Sequence, residues 1–160
     1  MALADYFLKL DGIDGENTEP AGTIVVESFS WGEAQSASGS HTEGMGAGKV
    51  SMQAVSFAKH LDKASPKLML ACADGTHVPK AVLTCRKAGK GQQEYLKYTF
   101  SECLVSSYTV SGSGGGDVVP MENFGLSFSK IEMEYKGQQK GGALGGTVKS
   151  HYDMRTGKGG

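Results

Sequence analysis

The chain has 160 residues, 24 of them glycine, an apolar share of 39% and a formal net charge of −1. That length suits one domain, 1–160, able to bury a core, and the near-neutral charge argues against a nucleic-acid partner, which favours a basic surface. The glycines lack the every-third-residue period of collagen, and no apolar run reaches the length that spans a membrane.

Ala4 to Leu10 reads as a strand with Tyr6, Leu8 and Leu10 on one face. A loop rich in turn formers runs from Asp11-Gly12 to Glu19-Pro20. Thr23 to Trp31 is the clearest strand, with Val25, Phe29 and Trp31 suited to a core and Val26, Ser28 and Ser30 on the other, small and half-polar face. Gly32 to Gly48 has no hydrophobic period and is longer than most loops of a compact domain. Val50 to Phe57 is a further strand. Asp62 to Ala73 is the one good helix candidate: Asp62 or Ser65 could cap it, Pro66 fits its first turn, Leu68, Ala71 and Cys72 form its apolar stripe, and Gly75 stops it. Val78 to Lys87 is a strand, and Gln93 to Glu102 with Leu104 to Ser111 reads as two strands or one long bent one.

From Glu122 to Tyr135 the alternation changes phase. Phe124, Leu126 and Phe128 keep one phase and Ile131, Met133 and Tyr135 the other, so a bulge or bend is expected near Ser129-Lys130, after which the chain joins a different sheet. Gly137 to Gly146 reads as flexible, Thr147 to Arg155 as a weak terminal strand, and 156–160 as a flexible tail. The sum is seven or eight strands and one short helix, which predicts a mainly β fold, a small barrel or sandwich of two sheets with the helix over one opening or face.

Catalytic and cofactor chemistry finds no footing. The run from Gly44 to Lys49 imitates a phosphate-binding loop, but Glu43 stands where glycine is needed, Val50 where serine or threonine is needed, and a strand follows in place of a helix. His41, His60, His77 and His151 have no metal-ligand spacing with cysteine or one another, and no G-x-S-x-G elbow is present. Cys72, Cys85 and Cys103 are odd in number, lack C-x-x-C spacing and sit among apolar residues, so they read as free, buried, inert thiols of a reducing compartment. The start Met1 to Tyr6 has neither a basic cluster nor an apolar run, so no cleaved secretory signal is expected. No catalytic, cofactor or metal residue is assigned. A self-assembling subunit, a monomeric β-barrel binding module and a hydrolase using Cys72 or a histidine stay open at this point.

Several stretches in order carry a resemblance: Asp5 to Leu10, Phe29 to Gly32, Gly46 to Val50, Ser56 to Cys72 with Asp62-Lys63-Ala64-Ser65-Pro66 inside it, Arg86 to Gly89, Leu104 to Ser107, and Glu122 to Tyr135. Over nearly its whole length the chain resembles Hcp, the hemolysin-coregulated protein family of the type VI secretion system. It departs where Phe29 and Tyr152 stand in place of tryptophan and where the glycines around Gly44 are fewer. The resemblance implies a barrel related in architecture to phage tail-tube proteins, assembled into homohexameric rings that stack into a hollow tube. A contractile sheath would drive that tube outward beneath a trimeric spike protein, with small effector proteins held in the lumen. It also implies synthesis in the bacterial cytoplasm and export without a signal peptide, with no cofactor and no membrane insertion.

Two groups of residues are expected to serve such a tube. Val26, Ser28 and Ser30 are assigned to the lumen, from their small half-polar face and from the match of Ser30 to a serine in the same family motif. The segment Ser38 to Gly48, with Ser38, Ser40, His41, Thr42, Glu43, Met45, Gly46 and Gly48, is assigned to contacts between stacked rings, because glycine permits close backbone approach.

Overall fold

A computed structural model describes residues 4–36, 49–87, 93–116, 119–138 and 144–160. The strands in chain order are β1 (Ala4–Leu10), β2 (Ile24–Val26), β3 (Ser28–Ser30), β4 (Glu33–Gln35), β5 (Val50–Met52), β6 (Val55–His60), β7 (His77–Lys87), β8 (Glu94–Ser111), β9 (Met121–Ser127), β10 (Lys130–Gln138), β11 (Leu144–Asp153) and β12 (Lys158–Gly159); α1 (Ser65–Asp74) lies between β6 and β7. Ten strands form one sheet, and β4 with β5 forms a separate two-stranded one.

The large sheet closes on itself. Antiparallel pairings run from β2 to β1, β7 and β8, then from β8 to β9, β6 and β3. Glu27 completes the circuit between β2 and β3, its N–H donating to the Ala58 carbonyl at 2.8 Å. β8 makes this possible by bending. Its first half pairs with β7 and β10 and its second half with β9. Between the halves Glu102 takes φ 57°, a left-handed conformation rare outside glycine. The bent-strand reading of 93–111 therefore holds. Beyond the barrel, β10, β11 and β12 extend the sheet as a lateral wing.

Alternation drives the core. Leu8 and Leu10 of β1, Phe57 of β6, Leu83 and Cys85 of β7, Phe100 of β8, and Phe124 and Leu126 of β9 are all buried. Aromatic rings pack in this core: Phe57 lies 5.2 Å from its cross-strand neighbour Phe124 and Phe100 lies 4.9 Å from Phe128, centroid to centroid. Phe29 meets Tyr6 edge-on at 5.2 Å and Trp31 meets Tyr98 at 5.9 Å, a geometry that favours aromatic pairs. The helix covers the barrel with Leu68 and Ala71, and Gly75 ends it with φ 71° and an N–H to the Ala71 carbonyl.

Several expectations give way. The strand of 23–31 is two strands, because the chain changes partner at Glu27. Ahead of that break the phase is reversed: Val25 is 49% exposed and Val26 only 3%. The strand of 50–57 likewise splits at Gln53-Ala54, and such splits bring the described strands to twelve. The phase change after Phe128 is real and β10 exchanges β6 for β11 as partner, but the chain does not join a different sheet, since β9 and β10 both pair with β8 in the ten-stranded one; Met133 and Tyr135 stay 40% and 44% exposed. The N-cap of α1 is Ala64, without a side-chain bond of its own; Asp62 Oδ1 accepts the Ala64 N–H at 2.9 Å in the turn that leads into the helix, and Ser65 Oγ binds the Asp62 N–H and Glu122. The tail pairs as β12, with Gly160 and His151 exchanging backbone hydrogen bonds.

Candidate functional site: a hydroxyl-lined sheet face

The four-stranded wall β3-β6-β9-β8 turns its aromatic row, Phe29, Phe57, Phe124 and Tyr108, inward. The neighbouring rows must then point out. One joins Ser30, Ser56, Gly125 and Ser107; the next joins Ser28, Ala58, Asn123 and Thr109. No ionisable side chain stands in either row, and the serines, Thr109 and Asn123 are exposed. A register shift between Val105 and Ser107 brings Ser106 onto the same surface. Gly125 makes room for this bulge: a Cβ there would lie 2.8 Å from Ser107 Oγ and 3.2 Å from Ser106 Oγ. The result is a neutral wall of short hydroxyl groups, with Glu27 and His60 at its rim 3.8 Å apart.

Behind that wall, at the barrel mouth under α1, sits a buried polar cluster. Lys59 and Glu122 are fully buried cross-strand neighbours that form an ion pair. Lys59 Nζ also donates to Asp62 Oδ1 at 2.8 Å and to the His60 carbonyl at 3.2 Å. Ser65 Oγ donates to Glu122 Oε1 at 2.9 Å and accepts from the Asp62 N–H at 2.9 Å, and Tyr108 donates its hydroxyl to Glu122 Oε2. Burial, and then the Glu122 carboxylate as hydrogen-bond acceptor, push the Tyr108 hydroxyl up to about 12. Every partner here satisfies another, so the cluster pins the start of α1 to the barrel and presents no open reactive group. Sequence reading missed it, although Lys59 shares the inward phase of Val55 and Phe57, and Glu122 that of Phe124 and Leu126.

Of the three residues assigned to the lumen, Ser28 and Ser30 are exposed on this wall. Val26 is not among them: it lies in the core, because β2 turns to β1 before the chain reaches the wall. The segment assigned to ring stacking, Ser38 to Gly48, lies outside the described residues; its flanks pair as β4 and β5, Gln35 opposite Val50. Cys85 and Cys103 are buried and Cys72 half-buried, all as free thiols. Burial alone pushes Cys85 up to about 11, and burial with the nearby Glu102 and Asp11 charges pushes Cys103 up to about 12. Among the described residues no cluster of histidine, cysteine, aspartate and glutamate could hold a metal.

The sequence matches the family described as "Type VI secretion system effector, Hcp" over residues 7–135. It is 44% identical to protein hcp1 of Pseudomonas aeruginosa PAO1 over 155 residues, 94% of this chain and 95% of that one. The chain belongs to the Hcp family. Its fold agrees: a solved type six secretion system protein superposes with a TM-score of 0.92 at 31% identity, covering 98% of this chain and 99% of the other. Hcp1 from Salmonella typhimurium gives 0.83 at 38% identity, covering 99% of each. The anti-feeding prophage baseplate shares the fold at 12% identity and a TM-score of 0.53, covering 83% of this chain and 93% of the baseplate chain. Hcp proteins are secreted tube proteins of the type VI system. No helix among the described residues is long and apolar enough to cross a membrane.

Proposed function

We propose that this Hcp chain, as one domain over 1–160, forms hexameric rings that stack head to tail into the secretion tube, with the β3-β6-β9-β8 wall lining the lumen. The observation that carries the reading is that wall: two adjacent rows across four strands without a charge, in a chain whose family builds secretion tubes. Short neutral hydroxyls leave a bore wide. They also offer weak, reorientable hydrogen bonds to effector proteins of varied surface, without the strong charge attraction that would trap one cargo. Ser28 and Ser30 belong to this lining, joined by Ser56, Ser107, Thr109 and Asn123.

On this reading the protein is a structural subunit and not an enzyme; Cys85 and Cys103 are buried with their thiols pushed up, and the polar cluster is internally satisfied. Its partners are further copies of itself, the contractile sheath, the trimeric spike and effector proteins in the lumen, and it travels from the bacterial cytoplasm to the outside with the tube. The segment 38–48, which joins β4 to β5 in the chain, serves ring stacking on this reading. Light scattering on the purified chain tests the reading: a mass of six chains supports it, and a monomer at all concentrations rejects it in favour of a monomeric binding module.

A further inference from the structure

One irregularity interrupts the hydroxyl wall, and Gly125 stands opposite it. Ahead of it β8 pairs with β9 as Leu104 with Ser127 and Val105 with Leu126; past it the pairs are Ser107 with Gly125, Tyr108 with Phe124 and Thr109 with Asn123. Ser106 is the extra residue. A bulge of this kind sets two residues of one strand against one of the other. Here Ser106 and Ser107 are both exposed, between buried Val105 and the inward Tyr108. One residue of register flips every side chain that follows. Carried on without the bulge, the pairing ahead of it sets Ser107 opposite Phe124, in the inward row, and Tyr108 opposite Asn123, on the wall. Glu122, fully buried beside Lys59, would then lose the hydroxyl that donates to it. The bulge thus keeps a phenol off the wall and completes the buried cluster.

Gly125 is the condition for that bulge. Ser30 and Ser56 stand in the same row with exposed side chains, so the row itself accepts them. Opposite the bulge the space is taken: a Cβ on Gly125 would meet Ser107 Oγ at 2.8 Å and Ser106 Oγ at 3.2 Å. Gly125 is not among the glycines of positive φ, so space rather than backbone conformation excludes a side chain there.

We infer that Gly125 is a positioning residue of the lining: by carrying no side chain it admits the β8 bulge, and the bulge holds Tyr108 inward against Glu122 and leaves only short hydroxyls on the wall. The consequence for the bore rests on the lumen reading above, in which each subunit would otherwise place a phenol in the channel. The test asks whether Gly125 is needed only because Ser106 is there. It uses Gly125→Val, whose branched side chain needs the space that both hydroxyls occupy. That variant is expected to take Tyr108 off Glu122, so that a phenol held up to about 12 falls toward the ordinary 10.0. Its phenolate absorbance at pH 11, assigned by subtracting the same chain with Tyr108→Phe, should then rise about tenfold. Deleting Ser106 as well removes the bulge yet keeps Ser107 opposite residue 125 and Tyr108 opposite Phe124, so the low wild-type absorbance is expected to return. A valine that merely destabilised β9 would not be cured by shortening the opposite strand. If Gly125→Val alone fails to fold by circular dichroism, recovery of the fold and of the low absorbance in the double variant supports the inference. An unchanged Tyr108 in Gly125→Val, or a double variant that stays unfolded or keeps the high absorbance, overturns it. The titration needs no ring, so a monomeric wild type defeats the lumen reading and leaves this result standing.

Discussion

At the residue scale the decisive side chain is Lys59. A lysine with no exposure is tolerable only because Glu122, Asp62 and a backbone carbonyl surround it. Lys59→Met keeps the volume but strands a buried carboxylate, and breaking a buried pair from one side costs about 3–5 kcal/mol. A urea denaturation curve should show that loss, with partial recovery on adding Glu122→Gln; a midpoint unmoved by Lys59→Met would show that the cluster does not hold α1. The buried hydroxyl and thiols give a pH signature. Cys85, Cys103 and Tyr108 hold their protons to about 11, 12 and 12, above the ordinary values of 9.0 for the thiols and 10.0 for the phenol. The unfolded chain releases these protons first, so the stability they contribute is complete below about pH 9 and falls as pH rises toward 12. Urea midpoints measured from pH 8 to 11 should decline; a flat series would contradict the burial of these groups.

At the element scale, much was legible and the failures have physical causes. Strands such as Ala4–Leu10 and the 81–85 stretch of β7 alternate cleanly, and the phase change at Phe128 marked a real exchange of partners. Val25 and Val26 are adjacent and chemically identical, so alternation alone could not choose which faces the core; the choice is made by pairing with β1, which no local signal encodes. Ser65 keeps a local bond from the Asp62 N–H, as capping chemistry suggests, but its second partner, Glu122, is 57 residues away and no local signal announces it. The hydroxyl wall was half legible: Ser28 and Ser30 stood out, but Ser56, Ser107 and Asn123 join them only through register. Substituting Ser30→Gln places a long side chain on this wall without touching the inward row. Rings should persist while co-purification of an effector falls several-fold; unchanged cargo recovery would remove Ser30 from the lining.

At the scale of the whole molecule, the subunit leaves unfinished what a ring could complete. Met133, Tyr135 and Val148 are exposed on a wing whose last strands, among the described residues, cover β11 only at its end. Family resemblance was legible from Asp5 to Tyr135 because its motifs keep their order, and the match over residues 7–135 agrees with it. Assembly surfaces were not legible, since they depend on which strands end the sheet. Deleting Ser40 to Met45 between β4 and β5 is expected to leave rings of wild-type mass while abolishing tubes in the electron microscope; tubes from that variant would remove the segment from stacking. The most direct measurement is class averaging of electron micrographs of the purified wild-type chain. Six-fold rings with an open centre are the expected result, and monomeric particles, or closed rings of another symmetry, would contradict the account.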